Sequence, residues 1–449
     1  MEREYKWILL ICAVFLFFAQ RAEALSARFT PKLLVTYHYN DNVDAVDPDV
    51  ADPTEMQWLD WLVGLEGSLK QRTVSFTLGG WAGYSQYIDS GGDLEELANI
   101  RVAKYNYYNL NLKGAFQYVS PAITIDLEDI LKRNRNISDL LGEQVSEFSE
   151  RPLYTSNNAM VQLRFRTSRP FNGLVRYTYQ TLVFDKPENP YVSRPAKSYA
   201  HIGYLSFAYR FTPRFLLGLD VEGGERVYDT AEVPDSAGNI TEVEVVDYSY
   251  YQGLLRLDYK FSPRTSLKVA GGAYSRHYFG ETTRDFKDYT TPVVRIGFHQ
   301  SQAYRYKLTI GGEYSSSTYG QNLYFNYWQV GTTFIYYFAK PLYIQVGYHY
   351  KQDLYDRSEL DMENVWADDR LDILHLANAS ITWEALKRHN IPYLSFKLGY
   401  KYRLRDSNID QADDYLPTYT GYRQTYDAEI NSFFFQLVFN PSVLIGPVK

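Results

Sequence analysis

The sequence predicts an all-β chain, a transmembrane antiparallel up-and-down β-barrel of about 18 strands. Three observations predict it. Bulky apolar residues alternate with polar or small ones along the whole chain. Short turns and long polar loops take turns as connections. After the first 24 residues no apolar run approaches the roughly 18 residues of a spanning helix.

In chain order the alternating segments fall near 32–43, 61–70, 73–87, 103–118, 121–130, 158–168, 171–184, 199–211, 215–225, 248–261, 266–277, 291–300, 305–315, 323–338, 341–351, 373–386, 392–404 and 429–440. Successive side chains of a strand point to opposite faces, so each segment has one apolar and one wet wall. VQLRFR, from Val161, sets Arg164 and Arg166 on the wet side. LLRLDYKF, Leu254 to Phe261, opposes Leu255, Leu257, Tyr259 and Phe261 to Arg256, Asp258 and Lys260. LYIQVGYHYK, from Leu342, opposes Ile344, Val346, Tyr348 and Tyr350 to Gln345, Gly347, His349 and Lys351. LSFKLGYKYRL, Leu394 to Leu404, opposes Phe396, Leu398, Tyr400 and Tyr402 to Lys397, Gly399, Lys401 and Arg403. FFFQLVF, from Phe433, closes the series with Gln436 on its wet face and an aromatic end at Phe439, before a tail from Asn440 to Lys449.

The connections supply the topology. Gln71-Arg72, Ser120-Pro121, Arg169-Pro170, Thr212-Pro213-Arg214, Ser262-Pro263-Arg264 and Lys340-Pro341 mark short turns. Long polar loops occupy 44–58, 88–99, 131–157, 185–197, 226–247, 278–289, 352–372 and 405–428, and the connection near 316–322 is the short exception. Only a closed barrel satisfies every backbone group in lipid without a helix, and strands of about 10 residues cross at a tilt. A secreted soluble β-sandwich or propeller would not need faces this apolar and regular, and no blade-length repeat is present.

The first 24 residues read as a secretory signal peptide. Arg3 and Lys6 precede the apolar run Trp7–Phe18, and Ala22-Glu23-Ala24 is a small-residue cleavage site. Residues 25–449 are then the barrel, expected in a bacterial outer membrane with both termini periplasmic and the long loops outside. Cys12 is the one cysteine and lies inside the apolar run, so disulfides, thiolate metal sites and cysteine nucleophiles are excluded from the barrel. Tyr (43), Phe (25) and Trp (7) bring aromatic content to 17%, enough for girdles at both membrane interfaces.

No enzyme, cofactor or resident-metal motif appears: GxxxxGK, HExxH and GxSxG are all missing. The seven histidines are scattered, and His299 with Ser301 is the nearest local pair. The acids of 44–58 and 352–372 read as solvated loops, with divalent cations as the alternative. No nucleic-acid partner is expected.

Assigning the wet parity strand by strand gives the lumen. Its basic residues are Lys32, Lys70, Lys113, Arg164, Arg166, Arg176, Arg210, Arg256, Lys260, Lys268, Arg276, Arg295, Lys307, Lys351, Lys397, Lys401 and Arg403. Its acids are Glu66, Asp126, Glu128, Asp220, Glu222, Asp258, Glu313 and Glu384. The wall is positive although the chain carries a net −7. Such a lumen concentrates anions, and Tyr204, Tyr274 and Tyr343 on the same wall are placed to stack on sugar rings.

TYHYNDNV, Thr36 to Val43, resembles the opening of a beta-barrel porin family associated with exopolysaccharide synthesis and export, whose first strand ends in a Tyr-Asn/Asp-x-Asn turn. The length and the Pro-Arg turns are similar as well. The resemblance implies a conduit for an exopolysaccharide, working beside a periplasmic export protein, and the positive wall makes an acidic exopolysaccharide or other anionic glycan the expected cargo. A general or anion-preferring diffusion porin, with 131–157 as its constriction loop, is the alternative, and a structural or enzymatic barrel is the third reading.

Overall fold

Alternation becomes a sheet wherever two wet-and-greasy segments can share one register. The computed structural model describes residues 26–41, 56–88, 106–134, 153–165, 170–185, 197–229, 231–234, 240–243, 247–279, 288–302, 305–319, 323–355, 371–388, 391–407, 428–441 and 443–445. The expected signal peptide, Arg166 and most of the long-loop interiors lie outside them.

The strands are β1 (Ser26–Asn40), β2 (Met56–Lys70), β3 (Val74–Ile88), β4 (Tyr107–Val119), β5 (Ile123–Asn134), β6 (Tyr154–Phe165), β7 (Phe171–Phe184), β8 (Lys197–Arg210), β9 (Phe215–Tyr228), β10 (Ala231–Pro234), β11 (Ile240–Val243), β12 (Asp247–Ser262), β13 (Thr265–Phe279), β14 (Tyr289–Gln302), β15 (Tyr306–Tyr319), β16 (Leu323–Ala339), β17 (Leu342–Tyr355), β18 (Leu371–Arg388), β19 (Ile391–Ser407), β20 (Ala428–Phe439) and β21 (Val443–Ile445). The eighteen long ones, β1–β9 and β12–β20, pair antiparallel in chain order, and β20 returns to β1 to close the barrel. No α-helix occurs among the described residues.

Register puts the two walls where the alternation demands. Leu65, Leu255, Ile296, Val346 and Leu398 are exposed on the outer wall. Aromatics collect at both ends of that wall. Phe207, Tyr209, Phe211, Tyr336 and Phe338 stand toward the short turns, and Tyr108, Tyr177, Tyr251, Trp328 and Tyr348 toward the long loops. Two outward histidines join the second belt: His201 shares a hydrogen bond of 2.6 Å with the Tyr177 hydroxyl, and His375 one of 2.7 Å with that of Tyr348.

Two Ser/Thr-Pro-Arg turns are built alike. Proline fixes the first central position, and the hydroxyl one residue earlier accepts backbone N–H groups. Thr212 Oγ1 accepts from Arg214 N at 3.2 Å and Phe215 N at 3.0 Å, and Ser262 Oγ accepts from Arg264 N at 3.1 Å.

The structure shortens several expected loops. β2 begins at Met56, β5 runs to Asn134, β6 starts at Tyr154, β17 reaches Tyr355, β18 starts at Leu371 and β19 reaches Ser407. Above the lipid the outer face is free to turn polar, so alternation fades while ladder hydrogen bonds continue. The 226–247 connection holds the separate β10–β11 hairpin, with Ala231 facing Val243 and Pro234 facing Ile240. The tail after Phe439 is also corrected: Val443–Ile445 pairs with Ala27–Phe29 of β1.

An epitope inserted at Ser236, between the two strands of that hairpin, is expected to be reachable on intact cells, whereas one after Lys449 is not. Labelling of the C-terminal epitope without labelling at Ser236 reverses this orientation.

Candidate functional site: the inner wall

Each strand delivers every second residue to the inside, so the site is an array rather than a cleft. Lys32, Lys70, Lys113, Arg164, Arg176, Arg210, Arg256, Lys260, Lys268, Arg276, Arg295, Lys307, Lys351, Lys397, Lys401 and Arg403 share the parity opposite the exposed apolar rows. Lys70, Arg210, Lys260, Lys268 and Lys307 all lie within a few residues of a short turn, which makes that mouth basic.

The inner acids stand beside bases. Lys32 meets Glu66 at 2.7 Å, Lys113 meets Glu128 at 2.6 Å, and Arg164 meets Asp126 at 2.6 Å. Arg256 bridges Asp220 at 2.8 Å and Asp258 at 3.5 Å, and Arg295 holds Glu313 at 2.8 Å. Arg176 reaches Glu222 at 3.5 Å past the intervening strand, where Tyr204 lies under its guanidinium at 4.6 Å. Glu384 pairs with Lys387. Each of the eight predicted inner acids thus stands beside a base, with Arg256 shared between two of them.

Other bases lie over rings instead. The Arg276 guanidinium is 4.1 Å from the Tyr248 ring and donates from Nε to Tyr274 at 3.0 Å. Lys307 stands 5.9 Å from Tyr337, itself 5.3 Å from Tyr343. Lys397 and Lys401 flank Phe434, at 5.5 and 5.6 Å from its centroid. That stretch of β19 presents Ser395, Lys397, Gly399, Lys401, Arg403 and Arg405 in succession, with no acid among them.

A recess of about 290 Å³ opens near the β4–β6 short-turn end, lined by Thr77, Gln117, Asp126, Gln162 and Arg164. Asp126 fills it electrostatically, accepting from Gln117 at 2.7 Å, Gln162 at 3.1 Å and Arg164 at 2.6 Å.

Asp353 and Asp372 are corrections. Read in the sequence as members of a solvated acidic loop, they are strand residues on the inner face. Asp353 pairs with Lys351 at 2.7 Å, and Asp372 is buried with Arg405 at 2.6 Å. Asp60, beside His38 at 3.0 Å, and Arg226, donating to Gln180 Oε1 at 2.7 Å, were missed for the same reason: they lie past the ends of the segments read as strands. His299 contacts Thr309 Oγ1 at 3.3 Å. Among the described residues no three His, Cys, Asp or Glu side chains are placed to hold a metal ion.

No family model matches the chain, so the exopolysaccharide-associated family gains no support. No curated protein matches it either. Among solved structures it is similar to OpdO of Pseudomonas aeruginosa, at 11% identity and TM-score 0.49 over 93% of this chain and 97% of that one. It is similar to OccAB4 of Acinetobacter baumannii at 12% identity and TM-score 0.48, covering 94% and 99%. It is also similar to OccK9 (OpdG) of P. aeruginosa at 13% identity and TM-score 0.48, covering 92% and 98%.

Proposed function

We propose that the chain is an outer-membrane diffusion channel that prefers anionic solutes. The exposed apolar belt between two aromatic girdles supports the membrane setting. A barrel of 18 strands is wide enough to leave an aqueous passage. The observation that carries the preference is the acid-free stretch of β19, where Lys397 and Lys401 lie against Phe434 and not against a carboxylate. Fixed positive charge on a low-dielectric wall raises the local concentration of anions.

The Lys397→Glu/Lys401→Glu double variant tests this. Its anion-over-cation permeability ratio in a planar bilayer is expected to fall about tenfold, since two charge reversals on the wall change the barrier by about 1.4 kcal/mol. An unchanged ratio would remove β19 from the selectivity path.

Export of an acidic glycan with a periplasmic partner is the finer reading. Inner-wall tyrosines favour it: Tyr204, Tyr274 and Tyr343 stand on the wall that carries the bases. Loss of a secreted polysaccharide on deletion of the gene, restored only by an intact β19 wall, distinguishes export from diffusion.

A further inference from the structure

The closing seam is interrupted without a change of register, whereas the interruptions in β12–β13, β16–β17 and β18–β19 shift it. β1 pairs with β20 from Leu33↔Phe439 to Asn40↔Ser432, and with β21 from Ala27↔Ile445 to Phe29↔Val443. Both stretches keep one register. Carried through the gap, that register sets Pro31 directly opposite Pro441.

The hydrogen-bond phase makes the coincidence matter. Backbone groups of an antiparallel strand point alternately to its two neighbours. Asp41 N donates to Asn431 O at 3.1 Å, so odd-numbered residues of β1 face the closing strand. Pro31 and Pro441 therefore occupy a hydrogen-bonded pair position, and proline has no N–H. Both ladder bonds of that position are missing, and two carbonyls face each other. β1 is paired on both sides, and proline is normally confined to edge strands and bulges. Pro292 on β14, by contrast, lies beyond the residues that pair with β15.

The two sides of the seam are held very unequally. β1 pairs with β2 without interruption from Ser26↔Lys70 to Asn40↔Met56. Among the described residues β21 pairs with β1 alone, and Asn440, before it, still donates from its backbone N to Tyr393 O of β19 at 2.9 Å. Pro31 is exposed on the outer wall between Phe29 and Leu33, so the break faces lipid. On the inner side, Lys32 and Glu66 tie β1 to β2 and not to the closing strand.

We infer that the barrel carries a latch at its closing seam: β21 releases from β1 as a unit, hinged at Pro441, while β1 stays on β2. Parting stops at Leu33↔Phe439, where the unbroken ladder begins. Release opens a slot in the wall at the short-turn end and frees the backbone edge of Ala27–Phe29.

Amide hydrogen exchange on the full-length protein in nanodiscs tests the latch. Ala27 and Phe29 donate toward β21, whereas Arg28 and Thr30 donate toward β2. The first pair is expected to exchange at least about tenfold faster than the second. The Pro31→Ala/Pro441→Ala variant regains both donors and is expected to slow Ala27 and Phe29 by about tenfold, leaving Arg28 and Thr30 unchanged. Equal protection of all four amides overturns the latch. Equal exposure of all four means that the whole end frays, which also overturns it. No slowing in the double alanine variant removes the prolines as its cause. An Arg28→Cys/Leu444→Cys cross-link supplies a second arm: oxidised protein is expected to lose the difference between the two amide pairs, and retention of the difference contradicts the latch.

Discussion

Arginine in place of Leu398 is expected to cost the barrel about 2–4 kcal/mol of unfolding free energy, the range for a base on the lipid face near the midplane. Leu398 is 56% exposed on the outer wall, with Ile381 and Phe435 as its cross-strand neighbours. All three project the same way, so nothing in the protein shields a guanidinium there. Val346, between Phe334 and Ala379, is expected to behave alike. Gln345→Arg is the proper comparison: one residue away, it points inward between Ile335 and Ser380 and keeps its charge in water. Two other inward positions serve badly. A Cβ on Gly399 would lie 2.2 Å from Phe434 Cζ, so any side chain there must displace the ring. Asp258 neighbours Arg256 at 3.5 Å, so a base there sets two cations together. Urea unfolding in lipid vesicles measures the difference, and equal losses for Leu398→Arg and Gln345→Arg mean that the register is displaced by one residue.

Arg405→Met is expected to cost about 3–5 kcal/mol, the usual penalty for stripping one partner from a buried ion pair. Arg405 Nη2 lies 2.6 Å from Asp372 Oδ2, with side-chain exposures of 8% and 2%. The variant leaves a carboxylate that water barely reaches, with Asp353 on the adjacent strand facing it across the β17–β18 pairing. Asp372→Asn/Arg405→Met removes the buried carboxylate's charge as well and is expected to recover more than half of the loss. Stability of Arg405→Met within about 0.5 kcal/mol of the parent, the scale of an ordinary surface change, would show that the pair does not hold the two strands together.

The strands were legible wherever lipid disciplines the sequence. Segment 171–184 coincides with β7 at both ends, because Pro170 starts it and a polar loop follows Phe184. Legibility fails above the membrane: Asp353, Asp372 and Arg405 look like loop residues because alternation no longer separates greasy from wet. Pairing between strands was not legible either. That Arg176 answers Glu222 past Tyr204, or that Phe434 fills the space above Gly399, depends on register between strands distant in sequence. Pro31 and Pro441 each look like unremarkable strand-end prolines until the register sets them face to face.

The anion preference rests on charge that the inner acids do not cancel, and the acids of the long loops account for the chain's net −7. Reversal potential in a planar bilayer under a salt gradient, measured on the intact protein and again after the acidic stretches within 44–55 and 356–370 are trimmed, tests it most directly. The account predicts anion selectivity in both forms. Cation selectivity that persists after trimming would contradict it.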